Sequence, residues 1–420
     1  MSSPSPSFIA RSLELPSGTI LPNRLVKSAM SETVADADGA PGERMVRLYD
    51  RLGRGGAGLL ISGHVIVSSD GLGEPGNVLV EDARHVDSLR AWATAAQANG
   101  SLLFAQLNHT GRQSPRRISA QPVAPSAVPL RGFFGTFAPP RALSEREIEI
   151  LVERFATAAA VVKDAGFAGA QVHAAHGYLI SQFLSPLTNR REDGWGGNIV
   201  GRMRFLLSIV RAIKAAVGPS FPISVKLNSA DFQRGGFEVG DAKEVAIALQ
   251  NEGISLLEVS GGNYESPAMA GGGGLSGGVR ESTRLREAYF LDYAREIRQV
   301  TKVPILLTGG MRTASVMNEV LASGAVDLIG LARPIAAEPD LPKRLLSGEA
   351  AGAATFDLAT GIKKVDDMLQ IFWFQKQLHR MADGLPPDHE LGRFSALYDG
   401  VKGSLLPGRP GRKASRVAQA

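Results

Sequence analysis

The sequence predicts an α/β protein, a (β/α)8 TIM barrel with loop insertions that cap its C-terminal rim and a C-terminal extension. Short β-rich runs alternate with longer amphipathic stretches from residue 25 to about residue 350. There are eight such runs, and glycine is abundant, with 48 glycines in 420 residues. Strands that alternate with helices pair in parallel, and eight of them favour a closed barrel. The alternative is an open doubly wound sheet, which usually has fewer strands.

The predicted elements follow one another along the chain. The strands are Leu25–Ala29, Gly58–Ser62, Leu102–Leu107, Gly169–His173, Ile223–Leu227, Leu256–Ser260, Ile305–Thr308 and Leu328–Leu331. The helices between them include Arg84–Ala98, Ser144–Asp164, Met203–Ala216, Ala242–Asn251, Tyr289–Gln299 and Ala314–Ala322. Ser144 and Glu147 have the spacing of a capping box, in which each side chain accepts the backbone N–H of the other residue.

The barrel is expected to be a single domain over residues 1–384, followed by a tail over residues 385–420 whose last dozen residues should be disordered. Ser114–Arg141 is rich in Pro and Arg and contains Phe133-Phe134, which predicts a loop or cap over the rim. Gly271–Gly278 has six glycines in eight residues and is expected to be mobile. Gly361–Met381, with Trp373 and Phe374, predicts a C-terminal helix.

The composition excludes several classes of function. The chain has no cysteine, which removes disulfides, thiolate metal sites, cysteine-ligated iron–sulfur clusters and cysteine nucleophiles. The formal net charge is only +5, aromatic residues make up 6%, and no basic stripe is visible, so a nucleic-acid partner is disfavoured. The N-terminus has no signal-peptide pattern and no window has transmembrane length, so the expectation is a cytoplasmic protein without a membrane partner. The oligomeric state stays open, and a homo-oligomer is compatible with the sequence.

The residues after the predicted strands are expected to share one rim, because the carboxyl ends of barrel strands lie together. Polar residues and glycines recur there: Ser28 to Ser31, His64, Gln106, His173 to Tyr178, Lys226, Gly262, Gly309-Gly310 and Ala332-Arg333. This pattern predicts that the rim is a binding face.

Gly309-Gly310 and Ala332-Arg333 follow the seventh and eighth strands, where barrels commonly bind phosphate through backbone N–H groups. Arg333 would add a charge-assisted hydrogen bond. The alternative is a tight turn beside a surface charge.

Lys226 and Gln106 end the fifth and third strands. A cation and an amide together suit an imide-like edge that becomes anionic, such as the pyrimidine of a flavin. A lysine paired with a nearby carboxylate is an equally valid interpretation.

His173, His176 and Tyr178 lie within six residues at the end of the fourth strand. As donors to a substrate oxygen, with Tyr178 as an acid, they would form an oxyanion-type site. A metal site is disfavoured because no Glu separates the histidines in a zincin pattern and no cysteine is available, so no metal is expected. Satisfied core histidines are the remaining alternative.

These residues resemble the old yellow enzyme family of FMN-dependent ene-reductases. Residues 23–30, Asn-Arg-Leu-Val-Lys-Ser-Ala-Met, are similar to its first-strand motif. Residues 106–112, Gln-Leu-Asn-His-Thr-Gly-Arg, resemble its third-strand motif. Residues 173–186, with 189–191 and Gly196-Gly197 beyond them, resemble its central signature. The resemblance covers roughly residues 8–350.

The resemblance implies that FMN lies on the C-terminal rim. Ser28, Ala29, Met30 and Ser31 would line the ring system. His64 through its backbone, and Gln106 and Lys226 through their side chains, would hold its pyrimidine end. The rest of the implied cofactor-binding set is Gly262, Gly309, Gly310, Ala332 and Arg333. At position 64 relatives usually have a small residue, so the imidazole of His64 could also reach the substrate.

The implied activity is that of an NAD(P)H oxidoreductase, with NAD(P)H bound transiently, since no GxGxxG follows a strand. An activated alkene, either an α,β-unsaturated carbonyl or a nitro compound, would take hydride at its β-carbon and a proton from Tyr178 at its α-carbon. His173 and His176 would bind its electron-withdrawing oxygen. Three alternatives stay open: an NADH oxidase-like or oxidative demethylating flavin barrel, a non-redox hydrolase, and a flavin-binding protein without turnover. The hydrolase is disfavoured because the rim is poor in acids.

Overall fold

Eight apolar segments form parallel strands that close on themselves, in a computed structural model that describes residues 7–131, 135–265, 288–356, 358 and 363–392. The strands are β1 (Leu25–Lys27), β2 (Leu59–Ile66), β3 (Leu102–Asn108), β4 (Gly169–Ala174), β5 (Ile223–Asn228), β6 (Leu256–Ser260), β7 (Ile305–Thr308) and β8 (Leu328–Leu331). Each strand pairs with the next, and β8 pairs with β1 through Leu331 and Lys27. The (β/α)8 barrel is therefore confirmed.

The first strand is shorter than predicted. It ends at Lys27 rather than Ala29, because the backbone N–H of Ser28 makes its last bond to the carbonyl of Leu331 and the chain then leaves the sheet. Residues 28–31 consequently lie in a loop at the rim.

The barrel interior has an apolar lower part and a polar upper part. Val26, Leu59, Phe104, Leu256 and Leu306 belong to one buried cluster that also receives Leu15 and Leu21 from the short hairpin of Leu13–Glu14 and Ile20–Leu21. That hairpin covers the amino-terminal end of the barrel with apolar side chains.

The helices lie outside the strands. They are α1 (Glu43–Gly53), α2 (Val86–Gln97), α3 (Glu145–Asp164), α4 (Leu179–Leu184), α5 (Ile199–Val217), α6 (Val239–Glu252), α7 (Leu291–Arg298), α8 (Ala314–Ala322), α9 (Arg333–Ala337), α10 (Leu341–Ser347) and α11 (Lys363–Ala382). The capping box of α3 is present: the N–H of Ser144 donates to Glu147 Oε2 at 2.8 Å, and the N–H of Glu147 donates to Ser144 Oγ at 3.3 Å. None of the helices in the described ranges is long and apolar enough to cross a membrane.

The insertions are only partly described. Within Ser114–Arg141, the short strands Val123–Ala124 and Arg141–Ala142 pair in parallel. Phe133-Phe134, Gly271–Gly278 and the tail from residue 393 lie outside the described residues. The domain boundary at residue 384 stays a prediction.

Candidate active site

The chain turns sharply after β4, and this turn places the proposed substrate-binding side chains. His173 is in the strand, whereas His176 and Gly177 follow it with φ of +61° and +75°. A β-carbon added at Gly177 would lie 2.6 Å from Gln113 Oε1, so glycine fits both the angle and the space. The turn brings Tyr178 back toward the rim before α4 begins.

The rings of His173, His176 and Tyr178 form one cluster. The His173 centroid lies 5.1 Å from that of His176 and 4.9 Å from that of Tyr178, both nearly perpendicular. The Tyr178 hydroxyl is 3.0 Å from the hydroxyl of Tyr264, in the segment after β6. His64 joins the cluster from β2, with its centroid 5.7 Å from His173 and 5.0 Å from Tyr178.

Backbone and side-chain partners orient the imidazoles. The N–H of Ala175 donates to Nδ1 of His173 at 3.3 Å, so the neutral ring carries its proton on Nε2. Nε2 of His176 lies 2.8 Å from the hydroxyl of Ser260, and its backbone N–H donates to Asn228 Oδ1 at 3.1 Å.

Burial keeps these groups uncharged. Desolvation, followed by the charges of neighbouring imidazoles and Lys226, lowers the pKa of His173 well below its ordinary value. Desolvation and Lys226 lower the pKa of His176 in the same direction. Desolvation also raises the pKa of Tyr178 well above its ordinary value. The cluster therefore presents neutral N–H donors beside a protonated phenol.

Below this cluster, a buried hydrogen-bonded chain crosses the barrel. Gln106 Nε2 donates to Gln171 Oε1 at 2.8 Å, and Gln171 Nε2 donates to Glu258 Oε2 at 2.9 Å. Lys226 Nζ is paired with Glu258 Oε1 at 3.0 Å. Thr308 Oγ1 donates to the same oxygen at 2.7 Å. Lys226 thus has the carboxylate partner that the sequence left open, and Glu258 connects it to Gln106.

The loop after β1 lies between this chain and α11. Ser28 Oγ is 2.7 Å from Thr308 Oγ1, and Ser31 Oγ donates to Glu74. The carbonyl of Ser31 accepts a bond from Gln375 Nε2 at 3.3 Å. Ala29 and Met30, between the two serines, are half-buried at the rim.

A cleft with a volume of about 180 Å³ opens at the carboxyl ends of β7 and β8. Its lining includes Gly309, Gly310, Ala332 and Arg333, together with Gln370 and Phe374 of α11. Arg333 donates to Gln370, and its guanidinium carbon lies 6.0 Å from the ring centroid of Phe374. Gly262 lies after β6, with φ of +87°, and its carbonyl accepts from Asn228 Nδ2 at 3.0 Å.

The residues present fit FMN. The cleft offers glycine backbone and a guanidinium for a phosphate. Its lining includes Thr308, whose hydroxyl lies 2.7 Å from that of Ser28. Lys226 and Gln106 supply a buried cation and a buried amide at the ends of neighbouring parts of the sheet. The role of each residue toward the cofactor stays a prediction.

Several residues of the site were absent from the sequence prediction. Glu258 had one available signal, a carboxylate in the middle of the apolar strand Leu256–Ser260. Tyr264, Glu74 and Gln370 lie in loops or in a distant helix and carry no local signal.

Comparisons with known proteins agree with this geometry. A model of the NADH:flavin oxidoreductase / NADH oxidase family matches residues 13–351. The chain is 38% identical over 355 residues to the NADH-dependent flavin oxidoreductase iliE of Neonectria sp., covering 79% of this chain and 46% of that protein. It is 37% identical over 347 residues to the NADH-dependent flavin oxidoreductase nadA of Aspergillus parasiticus, covering 79% and 77% respectively. The chain thus spans about half the length of the first relative and about three quarters of the second.

Solved structures show the same likeness. The old yellow enzyme homologue of Zymomonas mobilis has a TM-score of 0.70 at 29% identity and covers 83% of this chain and 95% of its own. Morphinone reductase has a TM-score of 0.69 at 27% identity, with coverages of 84% and 93%. Because the family model also matches most of the sequence, the chain belongs to the NADH:flavin oxidoreductase / NADH oxidase family, the FMN-dependent old yellow enzyme family.

Proposed function

We propose that the chain is an FMN-dependent NAD(P)H oxidoreductase that reduces activated alkenes, with Tyr178 as the proton donor. The observation that carries the proposal is the cluster of neutral imidazoles around a buried, protonated phenol. When bound, FMN supplies the redox chemistry, taking hydride from NAD(P)H and delivering it to the β-carbon of the alkene.

The imidazoles bind the activating oxygen of the substrate. His173 donates through Nε2–H, because its Nδ1 already accepts the N–H of Ala175. With Ser260 donating to Nε2 of His176, that ring has its proton on Nδ1, which becomes its available donor. Negative charge grows on the substrate oxygen in the transition state, so donors held in place there lower the barrier.

Tyr178 supplies the proton for the α-carbon. Its side chain is only 7% exposed, and its raised pKa keeps the hydroxyl protonated at neutral pH. The hydroxyl of Tyr264, 3.0 Å away, orients it and can return a proton after turnover. General acids placed in this way typically contribute about 10²- to 10⁴-fold to the rate.

Lys226 and Gln106 hold the pyrimidine end of the cofactor in this proposal. Glu258 keeps the Lys226 ammonium paired inside the barrel at 3.0 Å, and the Gln171 amide fixes the orientation of Gln106 at 2.8 Å. Gly309, Gly310, Ala332 and Arg333 hold the phosphate in the cleft.

Half-reactions followed anaerobically by flavin absorbance test the proposal. The purified protein should be yellow and release FMN when denatured, bleach with NADPH or NADH, and regain colour with cyclohexenone or a nitroalkene. Protein that stays colourless with added FMN contradicts the proposal.

An NADH oxidase is the second candidate, because the chain is 36% identical to the NADH oxidase of Thermoanaerobacter brockii over 78% of its length, although it spans 49% of that protein. Flavin that bleaches with NADH and is reoxidised by oxygen but by no activated alkene supports this candidate.

A further inference from the structure

The charge of Lys226 is compensated by a carboxylate on the neighbouring strand. Lys226 on β5 and Glu258 on β6 are opposite each other in the parallel register, and Lys226 Nζ lies 3.0 Å from Glu258 Oε1. The two side chains are 4% and 0% exposed. Water therefore screens neither charge, and the pair acts on its surroundings as a dipole rather than as a cation.

Three donors hold the carboxylate of Glu258 in place. Besides the ammonium of Lys226, Thr308 Oγ1 donates to Oε1 at 2.7 Å and Gln171 Nε2 donates to Oε2 at 2.9 Å. A carboxyl group that only accepts hydrogen bonds is in its ionised form. Gln171 Nε2 is also held by the hydroxyl of Ser224 at 3.2 Å. The negative charge thus stays beside Lys226, because moving it would break three hydrogen bonds of a buried group.

A second buried ion pair lies within electrostatic reach of the first. Lys27 Nζ is 3.1 Å from Glu32 Oε1, and these side chains are 0% and 4% exposed. Desolvation lowers the pKa of Lys27 and Glu32 opposes that effect, whereas Lys226 and Glu258 contribute smaller effects of opposite sign. The four charges cancel in pairs, so together they add no net charge to this part of the barrel.

The pairing of Lys226 affects how strongly the cofactor holds electrons. Two-electron reduction places negative charge on the pyrimidine of a flavin, so an unpaired cation beside it favours the reduced form and raises the reduction potential. We propose that Glu258 lowers the reduction potential of bound FMN by cancelling the charge of Lys226, and thereby keeps the reduced cofactor a strong hydride donor. This role rests on the proposed function, which places FMN beside Lys226, and Glu258 acts through that lysine.

Two variants test this role through the reduction potential, measured anaerobically against reference dyes after FMN content has been determined. Glu258→Gln keeps the shape and one acceptor oxygen but leaves the lysine charge unpaired. It should increase the affinity for reduced FMN relative to oxidised FMN about 10- to 100-fold, as expected for charges several ångströms apart. This change is a rise of about 30 to 60 mV for a two-electron couple. The double variant with Lys226→Met has neither charge, so its potential should lie within about 15 mV of that of the wild-type protein, a threefold difference.

The Kd of oxidised FMN, from fluorescence quenching on the apoprotein, separates charge from structural damage. Oxidised flavin has a neutral pyrimidine, so in Glu258→Gln its affinity should change less than that of reduced FMN, which follows from this Kd and the potential. A damaged barrel would instead weaken both forms and would not raise the potential.

The potentials also decide against the proposal if it is wrong. A rise of less than about 15 mV in Glu258→Gln, or a fall, overturns the role of Glu258. If that variant does not hold FMN, the wild-type protein and the double variant still decide. A double variant more than about 15 mV below the wild-type protein shows that Lys226 acts uncompensated, which also overturns the role. A wild-type protein that does not take up FMN instead overturns the proposed function.

Discussion

Removing the carboxylate of Glu258 should be among the most damaging single changes to this barrel. Its side chain is 0% exposed and pairs with Lys226, which is 4% exposed. Breaking a buried pair by removing one partner costs about 3–5 kcal/mol, because an uncompensated charge remains. Gln171 and Thr308 also lose an acceptor, at 2.9 and 2.7 Å. Each retains a second partner, in Ser224 at 3.2 Å and Ser28 at 2.7 Å, so about 1 kcal/mol apiece is added.

Glu258→Ala should therefore lower the free energy of unfolding by about 5–7 kcal/mol, a large share of the 5–15 kcal/mol of a typical domain. Urea unfolding followed by circular dichroism, with FMN at one fixed concentration, measures this change. Glu258→Gln, which keeps an oxygen and the shape, should lose less than half as much. The double variant with Lys226→Met should be more stable than Glu258→Ala, since no unpaired charge remains. A loss below about 1.5 kcal/mol, or a double variant no more stable than the single one, would refute this reasoning.

Four further predictions concern the site. Tyr178→Phe should slow reoxidation by an alkene about 10²- to 10⁴-fold and leave flavin reduction by NADPH nearly unchanged in stopped-flow absorbance; equal slowing of both steps would contradict an acid role. Replacing His173 and His176 together by Ala should abolish the charge-transfer band on titration with phenol, and unaltered phenol affinity would count against both. Arg333→Gln should raise the Kd of FMN about 10- to 100-fold in a fluorescence-quenching titration, since it removes a charge-assisted bond, and no change would exclude a phosphate contact. Burial lowers the pKa of His64 to about 4 from 6.5, so the unfolded chain takes up that proton first as pH falls. The free energy of unfolding should thus decrease from pH 6.5 to about 4, and it should decrease less steeply in His64→Phe. Identical slopes of unfolding free energy against pH in the two proteins would show that the pKa of His64 is not lowered by folding.

Local patterns were enough to predict the barrel. All eight predicted strands are present, because each is a short apolar run buried on both faces and bounded by polar or glycine residues. Their ends were harder to predict, as at Leu25–Lys27, where departure from the sheet depends on the neighbouring strand. The cluster of His173, His176 and Tyr178 could also be predicted from the sequence, because all three residues lie close together at the end of one strand.

Contacts between residues on different strands and loops could not be predicted from the sequence. Lys226 and Glu258 lie on different strands, and only the register of β5 against β6 places them opposite each other. Whether His64 faces the rim or the helices depends on one extra residue in β2, which no periodicity reveals. Tyr264 meets Tyr178 through a loop, and loops have no repeating pattern from which a partner can be inferred.

Helix α11 touches the site at two separated places, and the matched family region ends before it, at residue 351. Gln370 binds Arg333 at the cleft, while Gln375 and His379 bind the carbonyls of Ser31 and Glu32 beyond β1. A gene trimmed to the family boundary would encode every barrel strand and still leave the mouth uncovered at both places.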